Sequence, residues 1–108
     1  MCVVRHNKLV RDRIPEHLSK GGHIFSTRII NDDNEYREAL RDKLIEEVSE
    51  FLQSESIEEI ADILEVLDAI CELKKFKKSR LASVKKKKAK ERGEFKKRIF
   101  LISVSSSH

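Results

Sequence analysis

Two short acidic runs joined by a single connection constrain the fold of this chain more than any other feature. The first is EEVSE at residues 46–50 and the second is EIAD at residues 59–62, with eight residues between the last acid of one and the first of the other. On a helix, side chains three or four positions apart share one face. Each run therefore places two carboxylates together on its helix: Glu47 with Glu50, and Glu59 with Asp62.

If the two helices pack side by side, these four carboxylates converge on one small volume. Such a cluster repels itself and is costly to desolvate unless a hard cation lies among the oxygens. Oxygen-only ligation suits Mg²⁺, and Mn²⁺ accepts the same ligands. The pattern predicts a Mg²⁺ site formed by Glu47, Glu50, Glu59 and Asp62, of a kind that handles polyphosphate.

Apolar periodicity predicts a long helix around each acidic run. Residues 31–34 supply an N-cap, so the first helix is expected to run from there to about Gln53. Its apolar stripe has spacings of three and four and consists of Leu40, Leu44, Val48, Phe51 and Leu52. A capping box opens the second helix, with Ser56 at the N-cap position and Glu59 at N3. The Glu59 side chain could fill this N3 role without any metal. Apolar residues cover more than half of this second helix, which predicts a central position with most sides buried.

The flanking segments predict shorter elements around these two helices. A helix is expected to restart near Pro15 and to end at Gly21-Gly22. Segments 24–30 and 98–104 are rich in β-branched and aromatic residues, which predicts a small two-stranded ribbon. A basic helix is expected over residues 80–92. The predicted architecture is a mainly α, helical bundle in a single domain, residues 1–108.

The charge is distributed very unevenly along the chain. Residues 74–98 carry fourteen Lys and Arg against two Glu, a net charge of +12, whereas the remainder has a net charge of −8. Lys88 and Arg92 are four positions apart and share a helix face, and Lys8 and Arg11 are three apart. Both pairs suit phosphate oxygens that lie beyond the metal.

Length and cysteine usage bound the class of protein. A chain of 108 residues forms only a modest core, so oligomerisation is a natural way to bury more surface. Cys2 and Cys71 have no metal-ligand spacing and favour reduced thiols in a cytoplasmic protein over a disulfide framework. No apolar run is long enough for a signal-peptide core or a membrane span, so no membrane association is expected.

Three sequence blocks in order carry a resemblance to a known family. They are NKLVRDRIPE at residues 7–16, the ExxE and ExxD pairs at 47–50 and 59–62, and KAKERGEF at 88–95, which runs into KRIFL. The chain resembles the MazG-like, all-α nucleoside triphosphate pyrophosphohydrolases. Their superfamily also includes phosphoribosyl-ATP pyrophosphatase and dimeric dUTPase. The first and last blocks are similar to those of a house-cleaning subgroup.

The resemblance implies an activity and an assembly. The activity is Mg²⁺-dependent hydrolysis between the α- and β-phosphates of an NTP or dNTP, which yields the monophosphate and pyrophosphate. The assembly is a homodimer or a dimer of dimers with sites built across paired helices. In this reaction Glu46 or Glu47 is expected to orient or deprotonate the attacking water.

Two alternatives from other classes compete with this interpretation. The basic segment 74–98 is typical of a nucleic-acid-binding module, but it has little aromatic interleaving and no recognised fold motif, and this alternative leaves the acidic position of Glu59 unexplained. A non-catalytic helical scaffold is the other alternative, and the four intact acidic residues argue against it.

Overall fold

The structure, a computed structural model, describes residues 3–106 and is mainly helical. Four helices follow one another: α1 (Ile14–Lys20), α2 (Asp33–Ser54), α3 (Ile57–Lys74) and α4 (Lys78–Arg92). The chain divides into two compact units, one ending at Lys75 and one beginning at Phe76. The mainly α fold class is therefore confirmed, whereas a single domain over 1–108 stays a prediction. None of the helices in the described part of the chain could span a membrane.

The helix boundaries follow residues that satisfy the exposed backbone groups at helix ends. At the start of α2, the Asp32 side chain accepts a hydrogen bond from the Glu35 N–H at 2.9 Å. At the start of α3, Ser56 Oγ accepts the Glu59 N–H at 3.4 Å. Pro15 lies in the first turn of α1, where its missing N–H costs no intrahelical bond. α4 ends at Gly93, whose φ of 80° suits glycine.

Helices α2 and α3 pack against each other as a hairpin joined by only Glu55 and Ser56. Glu55 adopts the left-handed conformation, with φ of 52°, and this reverses the chain direction within two residues. The apolar contact between the helices centres on Leu40, which is 3% exposed, and Val66, which is 7% exposed. This hairpin holds both acidic runs on neighbouring helices.

The prediction that α3 is buried on most sides is wrong for the single chain. Val66 is the only buried residue of α3 among those described. The hairpin instead leaves an apolar surface exposed, which consists of Ile45, Val48, Leu52, Ile57, Ile60, Leu64 and Leu67. The apolar residues of α3 extend round more of the helix than its contact with α2 covers.

The predicted strands 24–30 and 98–104 are also wrong, because the structure contains no strand within residues 3–106. β-branched and aromatic residues favour strands where a pleated, half-buried surface receives them, and an isolated pair of strands is marginal in water. Neither segment has such a surface: Ile24 is 89% exposed and Phe100 is 88% exposed. Cys71 is a free, half-buried thiol, and Cys2 lies outside the described residues.

Candidate metal centre

Three of the predicted ligands come together on the α2–α3 hairpin. Glu47 and Glu50 lie on consecutive turns of α2, and Glu59 lies in the first turn of α3. One carboxylate oxygen from each residue lies within 4.8 Å of those from the other two. We call these three residues the carboxylate cluster. Three negative charges at this separation repel one another strongly unless protons or a cation compensate them.

Glu47 is the buried member of the cluster, with only 6% of its surface exposed. Its Oε1 lies 3.3 Å from the Lys43 ammonium, whereas its Oε2 is buried and has no hydrogen-bond partner within residues 3–106. Burial raises the pKa of Glu47 first of all, the charges of Glu50 and Asp62 raise it further, and Lys43 opposes the rise. A buried carboxylate oxygen without a partner is rare and costly, so this atom requires an explanation.

Glu59 presents a second buried oxygen, Oε2, that lacks a partner in the described part of the chain. Desolvation raises its pKa most, followed by the charge and close contact of the Glu50 carboxylate and then by the charges of Asp62 and Glu47. The Glu59 side chain does not complete the capping box, because the Ser56 N–H donates to Ser54 Oγ at 3.4 Å. The Glu59 carboxylate therefore does not fill the capping role that was the alternative to metal binding.

Asp62 lies near the carboxylate cluster but does not join it. Its Oδ1 accepts a hydrogen bond from Arg11 Nη2 at 2.7 Å, and Arg11 reaches it from the segment before α1. The pKa of the Arg11 guanidinium is raised by this hydrogen bond first, with smaller contributions from the charges of Asp62, Glu65 and Glu47. The structure thus places one predicted phosphate-binding residue against one predicted metal ligand.

Glu46 precedes Glu47 on α2, and both of its carboxylate oxygens accept hydrogen bonds from lysines. Lys8 Nζ lies 2.7 Å from Oε1, and Lys43 Nζ lies 2.9 Å from Oε2. The Lys8 hydrogen bond is the largest influence that lowers the pKa of Glu46, and Lys43 adds to it. Glu46 is therefore held as an anion by two cations, outside the carboxylate cluster.

Lys43 is the residue of this region that sequence reasoning missed. Its side chain is largely buried and bridges Glu46 and Glu47, at spacings of three and four along α2. This spacing predicts both contacts, because residues three or four positions apart face each other on a helix. Burial pushes the pKa of Lys43 down, but the two glutamates outweigh it and the pKa is raised, so Lys43 is a permanent cation beside the cluster.

The second predicted phosphate pair, Lys88 and Arg92, lies on α4 in the second unit. Both residues are exposed and line one shallow concavity of α4 together with Arg80 and Lys87. Lys87 lies 4.0 Å from Glu91, a distance at which an exposed pair contributes little. This face of α4 is strongly positive.

The residues of the carboxylate cluster fit a hard divalent cation. They offer only oxygen ligands, two of those oxygens are buried without partners, and the nearest lysine leaves the group of three carboxylates negatively charged overall. Mg²⁺ and Mn²⁺ prefer such oxygen sets, whereas zinc sites favour nitrogen and sulfur. The orphaned oxygens of Glu47 and Glu59 would find in a cation the partner that the protein does not provide.

We compared the chain with models of protein families, with curated proteins and with solved structures, and none of the three comparisons found a match. The MazG-like resemblance therefore rests on the three sequence blocks alone.

Proposed function

We propose that this chain is a Mg²⁺-dependent nucleoside triphosphate pyrophosphohydrolase of the MazG-like type. It would cleave the bond between the α- and β-phosphates of an NTP or dNTP and release the monophosphate and pyrophosphate. The observation that carries the proposal is the pair of buried, unpartnered carboxylate oxygens, Oε2 of Glu47 and Oε2 of Glu59, within one cluster. Mn²⁺ could replace Mg²⁺ on the same ligands.

The residues of the first unit supply the parts that phosphoanhydride hydrolysis requires. A bound Mg²⁺ would neutralise charge on the phosphate oxygens and lower the pKa of a coordinated water. Glu47, Glu50 and Glu59 would hold it, with Asp62 available beside them. Lys8 and Arg11 reach the edge of the cluster and would bind phosphate oxygens that extend beyond it.

Of the two carboxylates expected to act on water, Glu47 is the one that lies in the carboxylate cluster. Both oxygens of Glu46 are already paired with lysines, one with Lys8 and one with Lys43. We therefore assign orientation of the attacking water to Glu47 and structural support of Lys8 and Lys43 to Glu46.

We further propose that the active form is a homo-oligomer. The exposed apolar surface of the α2–α3 hairpin has the composition of an interface, and a second copy would cover it. The rival proposal, nucleic-acid binding by the basic helix α4, draws support from its exposed lysines. It does not account for the buried charge of Glu47, so we favour the enzyme.

The decisive experiment is incubation with a panel of NTPs and dNTPs in the presence of Mg²⁺. We expect release of pyrophosphate, loss of activity with a chelator, and a rate at least about 100-fold lower for Glu50→Gln, because a lost ligand removes several kcal/mol of charge stabilisation. Glu58→Gln, on an exposed position of α3, is the matched control and should retain activity.

Circular dichroism should show unchanged helicity in both variants, so that loss of activity is not loss of fold. Release of orthophosphate, or full activity in folded Glu50→Gln, would show that the assigned reaction or site is wrong. A folded wild type that binds Mg²⁺ but hydrolyses no nucleotide would favour the non-catalytic scaffold.

A further inference from the structure

Two basic side chains before α1 are bound to the acidic edge of the hairpin across a large sequence separation. Lys8 contacts Glu46 of α2, and Arg11 contacts Asp62 of α3, each at 2.7 Å. The ion pairs span 38 and 51 residues respectively. The segment 8–11 is thereby held along the same edge that carries the carboxylate cluster.

Asp62 lies between two competing influences. Its negative charge raises the pKa of both Glu47 and Glu59, so it contributes to the potential that would attract a cation. One of its oxygens, however, already accepts a hydrogen bond from the Arg11 guanidinium. A metal ion bound by Asp62 would lie close to the Arg11 guanidinium on the same carboxylate, and the two positive charges would repel each other.

We propose that Arg11 is a positioning residue that exchanges partners: it holds Asp62 in the metal-free protein, gives Asp62 up when a divalent cation binds, and then binds the polyphosphate. The proposal rests on the proposed function for the existence of the cation site. A guanidinium suits this exchange because it forms similar paired hydrogen bonds with carboxylate and with phosphate. Repulsion between Arg11 and a cation at the neighbouring carboxylates would drive its release from Asp62.

If this exchange occurs, the Arg11–Asp62 pair lowers the affinity for the bare cation. Arg11 then raises the affinity for the metal–nucleotide complex by binding its phosphates. Both side chains are partly exposed, at 56% for Arg11 and 35% for Asp62, so the pair is a modest competitor and not a block. Removing Arg11 should therefore tighten binding of the bare cation and weaken binding of the triphosphate. A merely structural role for Arg11 would change both affinities in the same direction or neither.

The test measures Mn²⁺ binding without nucleotide, by electron paramagnetic resonance, in wild type, Arg11→Gln, Asp62→Asn and the double variant. We expect Arg11→Gln to bind Mn²⁺ about two- to fivefold more tightly than wild type, the range for release of an exposed ion pair. In the Asp62→Asn background the same change should have no effect, because the competition acts through Asp62. Arg13→Gln, which removes a pair with Glu16 instead, is the matched control.

A second measurement uses calorimetry with an α,β-methylene triphosphate analogue and Mg²⁺, for which Arg11→Gln should bind more weakly than wild type. Equal Mn²⁺ affinity in wild type and Arg11→Gln would overturn the exchange while leaving the cation site intact. Tighter Mn²⁺ binding that persists in the Asp62→Asn background would overturn it too, since long-range charge repulsion would then suffice. Absence of Mn²⁺ binding to wild type would overturn both this proposal and the proposed function.

Discussion

Glu47 shows how the surroundings of one side chain change its chemistry. Only 6% of its surface is exposed to solvent, yet only one of its oxygens has a cationic neighbour. Glu59, on the other helix of the hairpin, is half-buried, and its Oε2 has no hydrogen-bond partner within residues 3–106. In the metal-free protein both carboxylates oppose folding whenever they are charged, and a cation or a proton relieves the opposition.

The first prediction concerns Glu59→Gln in the metal-free protein. The folded pKa of Glu59 lies above its ordinary value of 4.5, so the folded chain binds that proton more tightly than the unfolded chain. This contribution to stability is fully present below the ordinary pKa and is lost as pH rises through the folded pKa. We therefore expect the variant to have a higher Tm than wild type near neutral pH and a similar Tm in acid.

Differential scanning calorimetry with a chelator, at several pH values from acid to neutral, checks this expectation. Glu58→Gln is the control and should show no growing difference from wild type. Added Mg²⁺ should reverse the order by raising the Tm of wild type more than that of Glu59→Gln. A Tm difference that shrinks toward neutral pH would contradict the assigned cause of the pKa shift.

At the scale of the elements, the α2–α3 hairpin depends on a two-residue connection with an unfavourable backbone conformation. Glu55 has a φ of 52°, and Lys75, at the end of α3, has a φ of 60°. Such left-handed conformations disfavour side chains with a Cβ atom and suit glycine. The hairpin geometry is therefore imposed by helix packing against the local preference of Glu55.

The second prediction is that Glu55→Gly stabilises the protein. Relief of the left-handed strain should outweigh the greater freedom of glycine in the unfolded chain and raise the free energy of unfolding by about 0.5–1 kcal/mol. Glu58→Gly, three residues later and within α3, should instead lower it by about 1 kcal/mol. Urea denaturation followed by circular dichroism measures both, and equal destabilisation by the two changes would refute the strain at Glu55.

Helix positions were predictable from the sequence because local chemistry determines them. Asp32 and Ser56 act as N-caps, and Gly93 ends α4, each through contacts within a few residues. The failure of segments 24–30 and 98–104 to form strands was not predictable, because both have strand-forming residues and only the fold shows that no surface covers them. Strand propensity depends on the surface that packs against the segment, and a single sequence does not reveal that surface.

The convergence of Glu47, Glu50 and Glu59 could be expected from helical spacing and a short connection. The pairing of Arg11 with Asp62 could not, because nothing in the sequence selects one carboxylate among many across 51 residues. For the same reason the sequence could not pair Lys8 with Glu46 across 38 residues, whereas the spacing of Lys43 and Glu46 along α2 predicts their contact. Periodicity assigns a residue to a face, and only the tertiary fold assigns its partner.

At the scale of the whole molecule, the first unit has very little interior. Leu40 and Val66 are its only buried apolar residues among those described, while seven apolar side chains of the hairpin are exposed. A chain of this size needs a larger apolar core for stability than these two residues provide. Covering the hairpin with a second copy would supply it.

The third prediction is that Leu64→Asp separates the subunits. Leu64 is 56% exposed on α3, and a charge within a buried apolar interface is costly because it loses its hydration. We expect analytical ultracentrifugation to report a dimer or larger species for wild type and a dissociation constant at least about 30-fold weaker for the variant. Leu81→Asp, on an exposed position of α4, is the control and should leave the mass unchanged.

A monomeric wild type, or an oligomer indifferent to Leu64→Asp, would remove the hairpin surface from consideration as the interface. In the second case the apolar residues of the C-terminal segment, including Phe100, would become the next site to substitute.

The order of the site residues along the chain, on two helices joined by only two residues, has a consequence for the synthesis of the protein. Every acidic residue of the candidate site, and Lys8, Arg11 and Lys43 as well, lies within the first 62 positions of the chain. Because domains form from the N-terminus as translation proceeds, these groups leave the ribosome before the lysine-rich stretch does. A cation captured by the nascent hairpin would leave the late-emerging lysines fewer bare carboxylates with which to mispair.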